Sequence, residues 1–261
     1  MSVPVVLAAV AHPDDVEFSM AGTLLLLKSA GAEIHLWNLA NGCLGTTCHD
    51  RAEIARIRWE EARASAAVAG AAAYPPLFED LAIFYDAASI ARVSAVIREI
   101  KPTIVLTQPT VDYMEDHQNA GRLVVTAVFS RGMKNQVTVP VRPAYDGPAA
   151  VYHCLPHGLR GPLGQMPVPT HFVGIERVLA KKREMLARHR SQKEWLDASQ
   201  GFDAYLDDME RLGREVGRRS GRFAVAEGFT QHLHLGFAAE GWDPLSELLG
   251  AEVCRPSKIS D

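Results

Sequence analysis

His12, Asp14, Asp15 and Glu17 crowd together around Pro13, directly after the apolar run of residues 3–10. Imidazole and carboxylate both ligate zinc, and a catalytic zinc takes three protein ligands with a fourth position left for water. Pro13 has no backbone N–H and holds His12 extended, so the chain must turn there, and His12 and Asp15 can then face a common point. Asp14 is left over. A carboxylate beside the water of such a site is the group that takes its proton, so the run reads as two ligands and a general base. Helix capping is the plainer reading of acidic residues at this place. It accounts for one carboxylate and leaves the histidine and the others without a role.

The third ligand comes from farther along. An apolar run at residues 103–107 leads into a polar stretch that ends at His117, after which Leu123, Val124, Ala127 and Val128 recur at helical spacing. In a doubly wound sheet of strand order 3-2-1-4-5 the first and fourth strands are neighbours at the switch point, where such sheets bind ligands. His117 then meets His12 and Asp15 at one crevice.

The elements that must position these residues alternate between strand and helix patterns. Residues 2–11 form an apolar strand, and a helix follows over residues 17–29, ending at Gly31. A second strand over residues 32–39 runs into a polar loop at 41–50. A helix over residues 50–69 then has Asp50 as its N-cap and carries Arg58. Further helices are expected at 87–100, 176–189 and 201–217, and further strands at 150–154 and 170–175, with Lys181, Lys182 and Arg183 on a solvated helix face. His232 and His234 alternate with Leu233 and Leu235, which places both histidines on one face of a strand. The fold class is therefore α/β: a Rossmann-like, mostly parallel sheet with helices on both faces and the metal site at the carboxyl ends of the strands. Residues 1–261 are read as a single domain.

Composition narrows the partners. With 261 residues, 48% of them apolar, the chain can bury a large core, and a net charge of −4 gives no attraction to nucleic acid or an anionic membrane. A small-molecule partner is expected, and a homo-oligomer is compatible with the sequence. The N-terminal residues lack the basic start and cleavage site of a secretory signal, and no apolar run reaches the roughly 18 residues of a membrane span, so a cytoplasmic location is expected. Cys43, Cys48, Cys154 and Cys254 are scattered and read as free thiols.

The run Ala11-His12-Pro13-Asp14-Asp15-Val16-Glu17 resembles the signature of the PIG-L/LmbE-like family, zinc-dependent deacetylases that act mainly on N-acetylglucosamine-type sugars. Weaker matches follow at Arg58-Trp59-Glu60-Glu61, Asp80, His189-Arg190-Ser191-Gln192 and Glu227-Gly228-Phe229. The family's second motif is His-x-Asp-His, which stands here as Met114-Glu115-Asp116-His117. Methionine thus replaces the histidine that assists catalysis in the family.

The resemblance implies a zinc hydrolase that removes an N-acyl group, acetyl in most members, from an amino sugar or its conjugate. Zinc would sit on His12, Asp15 and His117, with Asp14 as base; iron or cobalt suit similar ligands. Arg58 and Asp80 are substrate contacts by the resemblance. His157 in a strand-end loop, His232 and His234 are further candidates, and His232 is favoured to stand in for the histidine missing at position 114. The rival reading is a metal-dependent amidase acting on a non-sugar or thiol-conjugate amide. A dinucleotide-binding domain is disfavoured, because His12-Pro13-Asp14-Asp15 occupies the place of the Gly-x-Gly-x-x-Gly turn.

Overall fold

The computed structural model describes residues 3–194 and 204–256. Eight strands, β1 (Val5–Val10), β2 (Glu33–Asn38), β3 (Ala72–Tyr74), β4 (Ile104–Thr107), β5 (Ala150–Cys154), β6 (His171–Gly174), β7 (Ala226–Gln231) and β8 (Val253–Cys254), form one sheet of order β3-β2-β1-β4-β5-β7-β6-β8. The pairings from β3 through β5 are parallel, and those joining β5, β7, β6 and β8 are antiparallel. β1 lies between β2 and β4, with Val6 level with Ile34 on one side and Ile104 on the other. The expected 3-2-1-4-5 order is thus the parallel half of the sheet.

Successive residues of a strand point to opposite faces, so a strand covered on both sides must be apolar throughout. Val6, Ala8 and Val10 pack into one core with Leu24, Leu26 and Leu27, while Leu7, Ala9 and Ala11 pack into a second with Trp37, Val105 and Val124. The helices that cover these faces are α1 (Asp15–Ser19), α2 (Ala21–Ser29), α3 (Arg51–Ala69), α4 (Ala87–Ile100), α5 (Glu115–Phe129), α6 (Leu179–Leu186), α7 (Ala204–Ser220) and α8 (Pro244–Leu249). Asp50 caps α3 by accepting from the Glu53 N–H at 2.9 Å, and Gly70, at φ 63°, ends it. Among the described residues no helix is long and apolar enough to cross a membrane.

Several expectations give way to tertiary structure. The first helix is broken in two at Met20, whose φ of −149° is not helical. The helix expected over 176–189 is a 3₁₀ turn at Glu176–Val178 followed by α6, and the one expected from Gly201 is seen from Ala204, residues 201–203 lying outside those described. Lys182 is not on a solvated face: it is 1% exposed and its Nζ lies 2.6 Å from Glu227 Oε1. β7 ends at Gln231, so His232 and His234 are not on a strand; the His234 carbonyl closes a turn by accepting from Phe237 N at 2.8 Å.

Candidate metal centre

β1 delivers the chain to Ala11, a turn spans residues 12–14, and α1 starts at Asp15. Asp14 takes φ 98°, a left-handed conformation that strains a residue with a side chain by about 1–3 kcal/mol. The turn is tied by His12 N donating to Asp15 Oδ2 at 2.7 Å. From the neighbouring β4, the loop after Thr107 brings in α5, with His117 in its first turn. One ligand atom from each of His12, Asp15 and His117 lies within 4.8 Å of the others.

Both imidazoles are oriented by carboxylates outside that cluster. His12 Nε2 is 3.0 Å from Asp116 Oδ2, which leaves Nδ1 towards Asp15, 3.6 Å from its Oδ2. His117 Nδ1 is 3.1 Å from Asp112 Oδ1, which leaves Nε2 3.4 Å from Asp15 Oδ1. Each ring thus holds one nitrogen against a buried acid and turns the other to a shared point, as metal-ligating histidines do. Gln108 Nε2 donates to Asp15 Oδ2 at 2.9 Å and fixes the carboxylate between the rings.

The charge pattern favours a cation. Burial opposes protonation of His12, but hydrogen bonds to Asp116 and Asp15 outweigh it and lift the ring to about 9. His117 is lifted to about 10 against the same burial, chiefly by Asp15 and Asp112. Burial would raise Asp15, yet His117 and His12 hold it well below the ordinary carboxylate range. Two imidazole nitrogens and a carboxylate oxygen are a donor set suited to zinc and to similar divalent ions, so these residues fit the metal.

Asp14 stands apart from this set. Its Oδ2 accepts from the Tyr205 hydroxyl at 2.7 Å and lies 3.3 Å from Arg58 Nη2, which also donates to the Pro13 carbonyl. Burial raises the Asp14 carboxyl above its usual range, more than Arg58, His189 and Tyr205 pull it down. The Tyr205 hydroxyl, buried beside that carboxylate, is held well above 10 and remains a donor. Behind Asp14, Glu17 accepts from Ser65 Oγ at 2.5 Å and lies 3.4 Å from Nε2 of the fully buried His189, which ties α1 to α3.

An open cavity of 460 Å³ has His12, Asp14, Asp15, His117, Arg58, Asp80 and His157 in its wall, with Tyr113 and Met114. Asp80 spends its carboxylate on the protein, accepting from Gly42 N at 2.7 Å and Leu44 N at 2.9 Å, and so shapes the loop over Arg58. That loop needs a glycine at position 42: its φ is 75°, and a Cβ there would fall 2.4 Å from Arg58 Cδ. His232 is not in this cavity. Its Nδ1 lies 3.0 Å from His153 Nε2, and its backbone N–H pairs with Val151 O at 2.8 Å. The reason is the direction of β7: being antiparallel to β5, it carries the chain away from the carboxyl ends of the parallel strands. His234 follows it.

Tyr205, Asp112 and Gln108 went unnoticed in the sequence. Tyr205 carries no local signal, being 191 positions from Asp14. Asp112 had one, since a ligating histidine needs an acceptor for its second nitrogen and an acid sits in the loop before His117.

The sequence profile of PIG-L, described as GlcNAc-PI de-N-acetylase, matches residues 7–128. A diacetylchitobiose deacetylase of Thermococcus kodakarensis is 30% identical over 189 residues, covering 69% of this chain and 67% of that protein. The N,N'-diacetylchitobiose deacetylase of Pyrococcus horikoshii shares the fold at a TM-score of 0.75 and 22% identity, over 94% of this chain and 89% of that one. GalB, the 4-carboxy-2-hydroxymuconate hydratase of Pseudomonas putida KT2440, shares it at 0.70 and 23% identity, over 93% and 100%. At such identities the two structures speak for the fold alone, whereas the profile and the Thermococcus relative place the sequence: the chain belongs to the PIG-L family of de-N-acetylases and is an enzyme.

Proposed function

We propose that this enzyme hydrolyses the amide of an N-acetylglucosamine-type sugar or its conjugate, holding zinc on His12, Asp15 and His117 and using Asp14 as general base. The observation that carries the reading is the division of labour at the end of β1: two imidazoles and one carboxylate turn to a common point, while the adjacent carboxylate faces the same cavity without joining them. The similarity to a diacetylchitobiose deacetylase supports the sugar.

A divalent ion bound there supplies Lewis acidity towards the amide carbonyl and an acidified water. The chain's own groups do the rest. Asp14, with its raised proton affinity, accepts a proton from the attacking water and returns it to the departing amine. Arg58 and Tyr205 hold the Asp14 carboxylate in one orientation, so they act on the base rather than on the sugar. Thioether sulfur has no proton to give, so Met114 cannot act as the family histidine does. With His232 elsewhere, His157 is the histidine left in the cavity wall to meet the substrate.

The test is primary-amine release from N-acetylglucosamine and N,N'-diacetylchitobiose by zinc-loaded protein, with zinc content measured in parallel. Wild type should release amine and acetate in equal amounts, and Asp14→Ala should keep its zinc and lose turnover. Amine release by Asp14→Ala at near wild-type rate would remove Asp14 as the base, and release from neither substrate by zinc-loaded wild type would overturn the sugar assignment.

A further inference from the structure

A second, inner chamber of 50 Å³ adjoins the open cavity and shares Asp15, Phe18, His117 and His157 with it. The two spaces meet at the Phe18 and His157 rings, which pack edge to face with centroids 5.1 Å apart. Beyond that pair the inner wall includes Leu155, Leu159, Leu212, Val216 and Ala226. Lys182 and Glu227 also reach this wall but bind each other at 2.6 Å. Asp15 and Asp112 belong to the metal-binding end.

An amino sugar is ringed by hydroxyls, and burying these against leucine and valine without partners is costly. The alkyl end of an N-acyl group carries no polar atom, and the amide that joins it to the sugar must lie at the metal-binding residues. The chamber begins at those residues. A water-sized group needs roughly 10–15 Å³ of such space, so the chamber holds about four of them, whereas an acetyl methyl fills one.

On the proposed hydrolase reading, we infer that this chamber receives the alkyl end of the acyl group, and that it admits chains up to about butyryl. The reaction is ordinary hydrolysis. A water oxygen bonds to the acyl carbon, the C–N bond breaks, and the proton taken from water passes to nitrogen, giving a free amine and a short-chain carboxylate.

The experiment compares kcat/KM of the zinc-loaded enzyme on N-acetyl-, N-propionyl- and N-butyrylglucosamine. Wild type should process butyryl at least as well as acetyl. Val216→Phe, which fills the chamber from α7, should lower kcat/KM for butyryl at least tenfold relative to acetyl, since one methylene in an apolar pocket is worth roughly 10–200-fold. Leu159→Ala, which enlarges it, should move the preference to longer chains and keeps the test open if Val216→Phe fails to fold. Wild type that processes acetyl but handles butyryl more than tenfold worse, or filling and enlarging variants that leave the acyl preference unchanged, would overturn the chamber assignment while leaving the hydrolase reading standing. Hydrolysis of none of the three sugars, acetyl included, counts instead against the hydrolase reading on which this inference depends.

Discussion

Replacing Lys182 with methionine removes one charge from the best-buried ion pair near the site and keeps the side-chain volume. Lys182 is 1% exposed; its ammonium donates to Glu227 Oε1 at 2.6 Å and to the Phe18 carbonyl at 3.0 Å. Breaking one side of a buried pair costs about 3–5 kcal/mol, because the remaining charge stays out of water without its partner. Glu227 would not be left bare, since it also accepts from Gly22 N at 2.8 Å, Thr23 N at 2.7 Å and the Thr23 hydroxyl at 2.6 Å. Those three donors point to the lower end of the range, and the Phe18 carbonyl, losing a donor, adds about 1 kcal/mol. The expected loss is therefore about 3–4 kcal/mol, a large share of a domain's usual stability of about 5–15 kcal/mol. Equilibrium urea unfolding at neutral pH measures it. The double variant Lys182→Met/Glu227→Gln should lose less than the sum of the two single variants, because it buries no unpaired charge. A loss below about 1 kcal/mol for Lys182→Met, or strict additivity in the double variant, would refute this account of α6 docking.

Asp112→Asn and Asp116→Asn should each weaken zinc binding about 10–100-fold, since each acid fixes the ring of a ligating histidine. Competition with a chelator of known affinity measures this, and unchanged affinity in both would contradict the orientation argument. The pH dependence follows from Asp14. A base works only when deprotonated, so the acid limb of kcat/KM should follow the Asp14 carboxyl, which burial raises and Arg58, Tyr205 and a bound divalent ion lower. The Tyr205 hydroxyl stabilises the charged form of Asp14, so Tyr205→Phe should move that limb further up; a downward shift or none, with zinc retained, would tell against the contact.

How far a feature was legible depended on how local its cause is. β1 could be read because both of its faces are covered, which demands an unbroken apolar run, and the Pro13 turn could be read because proline removes a donor. The loop over Arg58 was legible only as polar; its dependence on Asp80 follows from two backbone N–H groups that only the folded loop turns inward. Lys182 was misread because its neighbours Lys181 and Arg183 make a charged run, and a run says nothing about a glutamate 45 positions away. His232 was misread because a strand pattern carries no direction. Whether β7 runs with or against β5 decides which end of the sheet its last residues reach.

By itself, then, the sequence determined the α/β class, the buried first strand and the His-Pro-Asp-Asp turn at its end, because apolar burial and the missing proline N–H act within a few residues of their cause. Tertiary structure alone decided which nitrogen each imidazole presents, through Asp116 on His12 and Asp112 on His117. It also decided the proton affinity of Asp14, which burial raises while Arg58 and Tyr205 pull it down. Orientation and proton affinity depend on what lies within a few ångströms, and in this fold those neighbours come from elements as far apart in the chain as α1, α3 and α7.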